Sequence, residues 1–163
     1  MDALRAAGVP FEVVPGVTAA FSAAAFLQAS LTDRRVSSKV IVLSGHHAAR
    51  SEPQTDLWPG PLPEDATLTI YMPGQDPAQV ADSLMRSGLL PSMPCVMVTD
   101  TSRPEAAYQV ARLSELRALP ASLAPTLLLV GHAFASILQR ATASTLLRDA
   151  EVGFVATSGL AAN

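Results

Sequence analysis

Short apolar runs alternating with helix-period segments most restrict what this chain can fold into. Such runs lie at Phe11–Val14, Lys39–Ser44, Ala66–Met72, Pro94–Thr99 and Thr126–Val130. Each is rich in β-branched or long aliphatic residues and meets Gly, Pro, Asp or Thr at its end, the punctuation of a strand. Helical patterns fit Thr18–Gln28, Pro77–Arg86 and His132–Arg140. In the second, Asp76 is placed as N-cap, Pro77 stands at the first helical position and Gly88 follows the end. Strands and helices that alternate in this way predict an α/β architecture.

Other segments are less decided. Tyr108–Leu119 reads equally as a short strand or a helix. Between Gly45 and Asp65 lie four prolines and little periodicity, which predicts a long surface loop pinned to the body by Trp58. Met1–Gly8 reads as the last turns of a helix running into a glycine stop. The expected domain is residues 1–142, followed by a C-terminal tail over 143–163, with a short helix around Ser144–Asp149 as its one candidate element.

Composition excludes several function classes. A hydrophobic share of 49% with 15% charged residues fits strands buried on both faces. The net charge of −3 and scattered basic residues, with only Arg34, Arg35 and Lys39 close together, disfavour a nucleic-acid surface, because phosphate backbones select clustered cations. No apolar run approaches the ~18 residues needed to span a bilayer, and no signal peptide opens the chain, so a soluble cytoplasmic protein is expected. The lone Cys95 sits in an apolar run and reads as a small core side chain. His46 and His47 are adjacent, their side chains diverge, and His132 is distant, which makes a metal site unfavourable. There is no G-x-S-x-G elbow. The nine glycines are never closer than six residues apart, so neither a G-x-G-x-x-G turn nor a P-loop can form.

One segment does carry a ligand signal. In Phe11–Ala20 an apolar strand stops at Pro15-Gly16 and enters an alanine-rich helix with a hydroxyl, Thr18, at its start. Open α/β sheets bind ligands where strand carboxyl ends meet helix N-termini, because crevices form there and amides point outward. Position alone leaves Thr18 open between a ligand contact and a bond to its own backbone.

Pro15-Gly16-Val17-Thr18-Ala19 resembles the Pro-Gly-(Ile/Val)-Thr-(Ala/Ser) turn of the tetrapyrrole methylases, uroporphyrinogen-III C-methyltransferase type. The resemblance continues in order. Leu31-Thr32-Asp33-Arg34 is similar to a Pro-Leu-Thr-His-Arg segment, and Ser37–His46 to a strand ending in Thr-Gly-His. Ala66–Met72 is similar to the Thr-Leu-Val-(Ile/Phe)-Tyr-Met strand, Pro94–Val98 to Pro-Val-Ala-Leu-Val, and Ala124–Gly131 to the closing Ala-Pro-Ala-Leu strand. The resemblance implies an open mixed sheet of about five strands with helices on both faces, the C-terminal domain of such an enzyme. It implies S-adenosyl-L-methionine as cofactor, held by Thr18, Ala19, Met72, Thr101, Pro125 and Thr126. An acidic tetrapyrrole, uroporphyrinogen III, would be the substrate, with Arg34 as the local candidate to meet a carboxylate.

Departures accompany it, among them Ser44 in conservative replacement of Thr. Asp33 stands where the family usually has His, and Thr101 where it tends to have Gly or Ala, so a tighter adenosine pocket is expected. The Gly-x-Gly-Pro-Gly turn and the Gly-Gly-Asp-Pro segment of the family are not in the sequence. The resemblance therefore implies a missing N-terminal partner domain holding the acid–base groups, and a homodimer. A precorrin C-methyltransferase of the corrin pathway and a non-catalytic assembly module remain alternatives.

Overall fold

The computed structural model of the protein describes residues 1–45, 58, 60–74, 76–120 and 122–143. Helices α1 (Asp2–Ala6) and α2 (Ala19–Phe26) precede strands β1 (Lys39–Ser44) and β2 (Ala66–Tyr71). Helix α3 (Pro77–Arg86) leads to β3 (Pro94–Thr99), β4 (Ala107–Arg112), a 3-10 turn over Leu113–Ala118 and β5 (Thr126–Val130). A second 3-10 turn, His132–Phe134, runs into a helix over 135–143.

The strands form one mixed sheet in the order β1-β2-β5-β3-β4. Only β1 and β2 are parallel; the other pairs are antiparallel. Because β5 lies antiparallel between β2 and β3, the β2–α3–β3 crossover joins parallel strands with one place left between them. The carboxyl ends of β2 and β3 and the start of β5 therefore meet at one edge.

Strand alternation builds two cores, one on each face. Leu68, Ile70, Cys95, Met97, Leu128 and Val130 face α3 and the first 3-10 turn, which contribute Val80, Ala81, Leu84, Leu113 and Leu116. The intervening Val96, Val98, Leu127 and Leu129 face α2, Phe134 and Ile137. Helix α2 offers the sheet only Ala20, Ala23, Ala24 and Leu27. Small side chains bring it close, while Phe21 stays exposed and Phe26 packs edge-on against Tyr108 at 5.9 Å. Buried hydroxyls on this face are paired: Ser37 Oγ with Thr67 Oγ1 at 2.8 Å, and Thr69 Oγ1 donates to the Ile41 carbonyl.

Local signals explain α3 well. The Asp76 carboxylate accepts from the Ala78 and Gln79 amides at 3.0 and 3.2 Å, a cap that contributes about 1 kcal/mol. Gly88 ends the helix at φ 95°, where a side chain would be strained. Trp58 is half-buried against the first core, and the Ser87 hydroxyl donates to its carbonyl, which fits the expected pin.

Four expectations need correction. Phe11–Val14 is not a strand: it runs exposed with no sheet neighbour among the described residues, and a strand without a partner leaves its backbone groups to water. The fifth strand comes instead from the ambiguous segment, whose first half is β4 and whose second half is 3-10 helix. The helix expected over Thr18–Gln28 is shorter, with Gln28 at φ 52°, and β2 stops at Tyr71 because Met72 turns to φ 47°. The expected helix from His132 begins as a 3-10 turn. His46, His47, most of the proline-rich loop and the Ser144–Asp149 helix lie outside the described residues. No helix among the described residues is long and apolar enough to cross a membrane.

Cys95 is 1% exposed, and burial pushes its thiol well above the ordinary range. Since the thiolate is the reactive species, the folded protein is expected to resist iodoacetamide at pH 8 and to be alkylated once unfolded in urea. Mass spectrometry of both samples checks this; rapid labelling of the folded chain would contradict the burial.

Candidate functional site

The sheet edge where β2 and β3 end and β5 begins holds a cleft of about 260 Å³. Backbone bonds tie its walls together. The Met72 amide donates to the Thr126 carbonyl at 3.2 Å, and the Asp100 amide to the Pro125 carbonyl at 3.0 Å. The start of α2 closes one side through Ala19. Apolar walls come from Met72, Val98, Pro125 and Leu127.

Larger hollows exist, one of about 390 Å³ beside Met97 and Tyr108 and one of about 480 Å³ beside Arg112 and His132. Size does not decide here. Three non-glycine residues at or beside the smaller cleft, Met72, Asp100 and Ser102, take left-handed φ values of 47°, 49° and 70°. Such conformations cost on the order of 1–3 kcal/mol each and gather at ligand sites. The Thr101 hydroxyl is buried with no hydrogen-bond partner among the described residues. The Ala19 amide, at the first helical position of α2, also lacks one among them. Unmet donors beside strained backbone mark this cleft as the candidate.

Five sequence candidates, Ala19, Met72, Thr101, Pro125 and Thr126, converge on this cleft. Thr18 stands just outside it. Its hydroxyl is bonded neither to its own helix nor to open space but to the Tyr71 hydroxyl. Arg34 is not brought to the cleft. It projects into solvent from a tight turn closed by Asp33 and Ser37. In that turn Arg35 grips the Asp33 carboxylate at 2.6 and 3.0 Å and holds its pKa down to about 2.

Sequence reasoning missed Tyr71, Asp100 and Arg103, all of which line the cleft. Arg103 pairs with Asp100 at 3.4 Å, setting both charges at the rim. The signal was available: an Asp-Thr-Ser-Arg run follows directly on a strand end, where ligand-binding residues collect. Among the described residues no cluster of His, Cys, Asp and Glu could hold a metal ion.

The family model of the Tetrapyrrole (Corrin/Porphyrin) Methylases matches residues 1–117. The chain belongs to the tetrapyrrole methylase family. It is 36% identical over 136 residues to a siroheme synthase of Gluconacetobacter diazotrophicus, covering 81% of this chain and 28% of that protein. It is 33% identical over 134 residues to the uroporphyrinogen-III C-methyltransferase of Paracoccus denitrificans, covering 80% and 46%. The fold superposes on the uroporphyrin III C-methyltransferase of Thermus thermophilus in its native form, with a TM-score of 0.66 and 27% identity over 80% of this chain and 54% of that one. A structure of the Thermus enzyme complexed with S-adenyl homocysteine superposes with a TM-score of 0.64 and 26% identity, again over 80% and 54%. The chain thus spans about half the length, or less, of the relatives it matches. Tetrapyrrole methylase membership accounts for the mixed sheet with helices on both faces.

Proposed function

We propose that residues 1–142 are the C-terminal domain of a uroporphyrinogen-III C-methyltransferase and supply part of its S-adenosyl-L-methionine site. The reading rests on one observation: five residues chosen from the sequence line a single cleft at the carboxyl edge of the sheet. The chemistry of that cleft suits the cofactor. Ala19 N–H and Thr101 O–H are donors in search of an acceptor, Asp100 is an acceptor, and Met72, Val98, Pro125 and Leu127 suit an adenine face. When bound, the cofactor supplies a methyl group on a sulfonium for in-line transfer to an electron-rich pyrrole carbon. Such a step needs alignment and exclusion of water more than a strong base, so the task of these residues is to bind and orient.

At about 260 Å³ the cleft is smaller than the roughly 300–1,000 Å³ typical of complete small-molecule sites. That favours a partial site completed by an amino-terminal domain. Val13, Val14, Val17 and Phe21, each more than 60% exposed, offer that domain or a second subunit an apolar surface. A homodimer in the cytoplasm is the accompanying proposal. Uroporphyrinogen III is preferred to a corrin precursor because the two relatives named above, at 36% and 33% identity, are a siroheme synthase and a uroporphyrinogen-III C-methyltransferase.

Isothermal calorimetry with S-adenosylhomocysteine tests this. Residues 1–163 alone are expected to bind weakly, above about 10 μM, since several lost polar contacts at ~1 kcal/mol each weaken a micromolar affinity by roughly a hundredfold. Joined to the amino-terminal half of a tetrapyrrole methylase, they are expected to regain affinity and to methylate uroporphyrinogen III. A submicromolar constant for the chain alone would refute the partial site, and an inert joined protein would refute the activity.

A further inference from the structure

We propose that Tyr71 is a positioning residue for the cleft, acting as the N-cap of α2 from a neighbouring strand. The proposal deepens the cofactor reading above and rests on it for its ligand.

A helix N-cap with a hydroxyl ordinarily accepts a bond from the amide two or three places on. Thr18 holds the N-cap position with extended backbone, φ −71° and ψ 148°, yet its side chain makes no such bond. The amide two places on, Ala20 N–H, donates instead to the Tyr71 phenol oxygen at 3.0 Å. The same phenol is the hydrogen-bond partner of the Thr18 hydroxyl. Tyr71 is the last residue of β2 and shares its face with the buried Thr67 and Thr69, the face α2 covers. Its ring therefore spans from the sheet edge to the helix start and fixes one against the other.

Counting protons shows what this leaves for a ligand. The phenol oxygen accepts from Ala20 N–H, so one proton is shared between the two hydroxyls and one remains. If Tyr71 donates to Thr18, the Thr18 proton is left; if Thr18 donates, the Tyr71 proton is left. In both cases the helix start presents one hydroxyl proton and the unbonded Ala19 amide. That pair suits an acceptor-rich group, the carboxylate or a ribose oxygen of the cofactor. The Thr18 hydroxyl is thereby tied to Tyr71, a link that no spacing argument along the chain reveals.

The test uses residues 1–163 and the variants Tyr71→Phe, Thr18→Val, Thr18→Ser and the Tyr71→Phe/Thr18→Val double. Amide exchange without ligand reports the cap, and NMR titration with S-adenosylhomocysteine to millimolar concentration reports binding. Tyr71→Phe is expected to speed exchange at Ala20 about tenfold and to weaken binding roughly three- to tenfold, the range for one neutral hydrogen bond. Thr18→Val is expected to weaken binding similarly, Thr18→Ser to restore it, and the double variant to be no worse than Tyr71→Phe, because both act through one unit. A purely structural tyrosine would lower the melting temperature and leave the dissociation constant and the ligand-induced Ala19 shift unmoved; that result overturns the proposal. Unchanged Ala20 exchange in Tyr71→Phe, or additive losses in the double variant, also overturn it. If the unaltered chain shows no binding up to millimolar ligand, the same variants are compared in the protein joined to the amino-terminal half of a tetrapyrrole methylase; absence of binding there refutes the cofactor reading, and the cap is then decided by the ligand-free exchange.

Discussion

Gly45→Ala is expected to destabilise the protein by about 1–3 kcal/mol or more, although alanine is the smallest possible addition. A Cβ at this position would lie 2.2 Å from the Met72 carbonyl oxygen, 2.7 Å from Pro73 Cα and 2.9 Å from the Met72 carbonyl carbon. All three are backbone atoms, so no side chain can swing aside. The Gly45 amide also donates to the Tyr71 carbonyl at 2.7 Å, which pins the exit of β1 against the end of β2. Relief of the clash must move either that exit or the left-handed turn at Met72, and Met72 is a wall of the cleft. A loss of stability in urea should therefore be accompanied by weaker S-adenosylhomocysteine binding once the chain is joined to the amino-terminal half of a tetrapyrrole methylase. Gly16→Ala is the control: nothing lies within 4 Å of its added Cβ, and stability is expected to change by less than about 0.5 kcal/mol. Equal unfolding midpoints for the two variants would show that the β1 exit can yield.

Phe134→Ala is expected to cost more, about 3–5 kcal/mol, the range for removing a fully buried phenylalanine. Phe134 is 0% exposed and fills the core between Val96, Val98, Leu127 and Leu129 and the alanine face of α2. Apart from Leu27 that face is alanine, with little side chain to move into the space, so the cavity cannot collapse easily. For a protein of this size the loss corresponds to a fall in Tm of roughly 10 °C or more. Because α2 carries Thr18 and Ala19, binding should weaken along with stability. Leu123→Ala, at a residue 91% exposed, is expected to leave Tm nearly unchanged. A fall of less than about 3 °C for Phe134→Ala would mean that the second core is not what holds α2 to the sheet.

Much of this architecture is legible along the chain. Lys39–Ser44, Pro94–Thr99 and Thr126–Val130 are strands with the expected ends, and Pro77–Arg86 is a helix with the expected cap, because each combines an apolar period with its own stop signals. The cleft is legible in the same way at Ala19, Met72, Thr101, Pro125 and Thr126, which stand at element ends where the chain turns.

What failed had no local cause. Phe11–Val14 carries the composition of a strand but has no neighbour to bond among the described residues, while Ala107–Arg112, with weaker alternation, becomes β4 because the edge of β3 accepts it. Periodicity reports whether a segment could pair, and only the assembled sheet decides whether a pairing edge is present. The role of Thr18 was open for the same reason. Its partner, Tyr71, lies 53 residues away and reaches it only because β2 ends beside the start of α2. By itself the sequence determined three of the five strands with their ends, the helix Pro77–Arg86 and the two-faced apolar pattern. The tertiary structure alone decided which edge receives the fifth strand, which hydroxyl caps α2 and which amide is left unbonded, because these depend on atoms distant in the chain satisfying one another's hydrogen bonds.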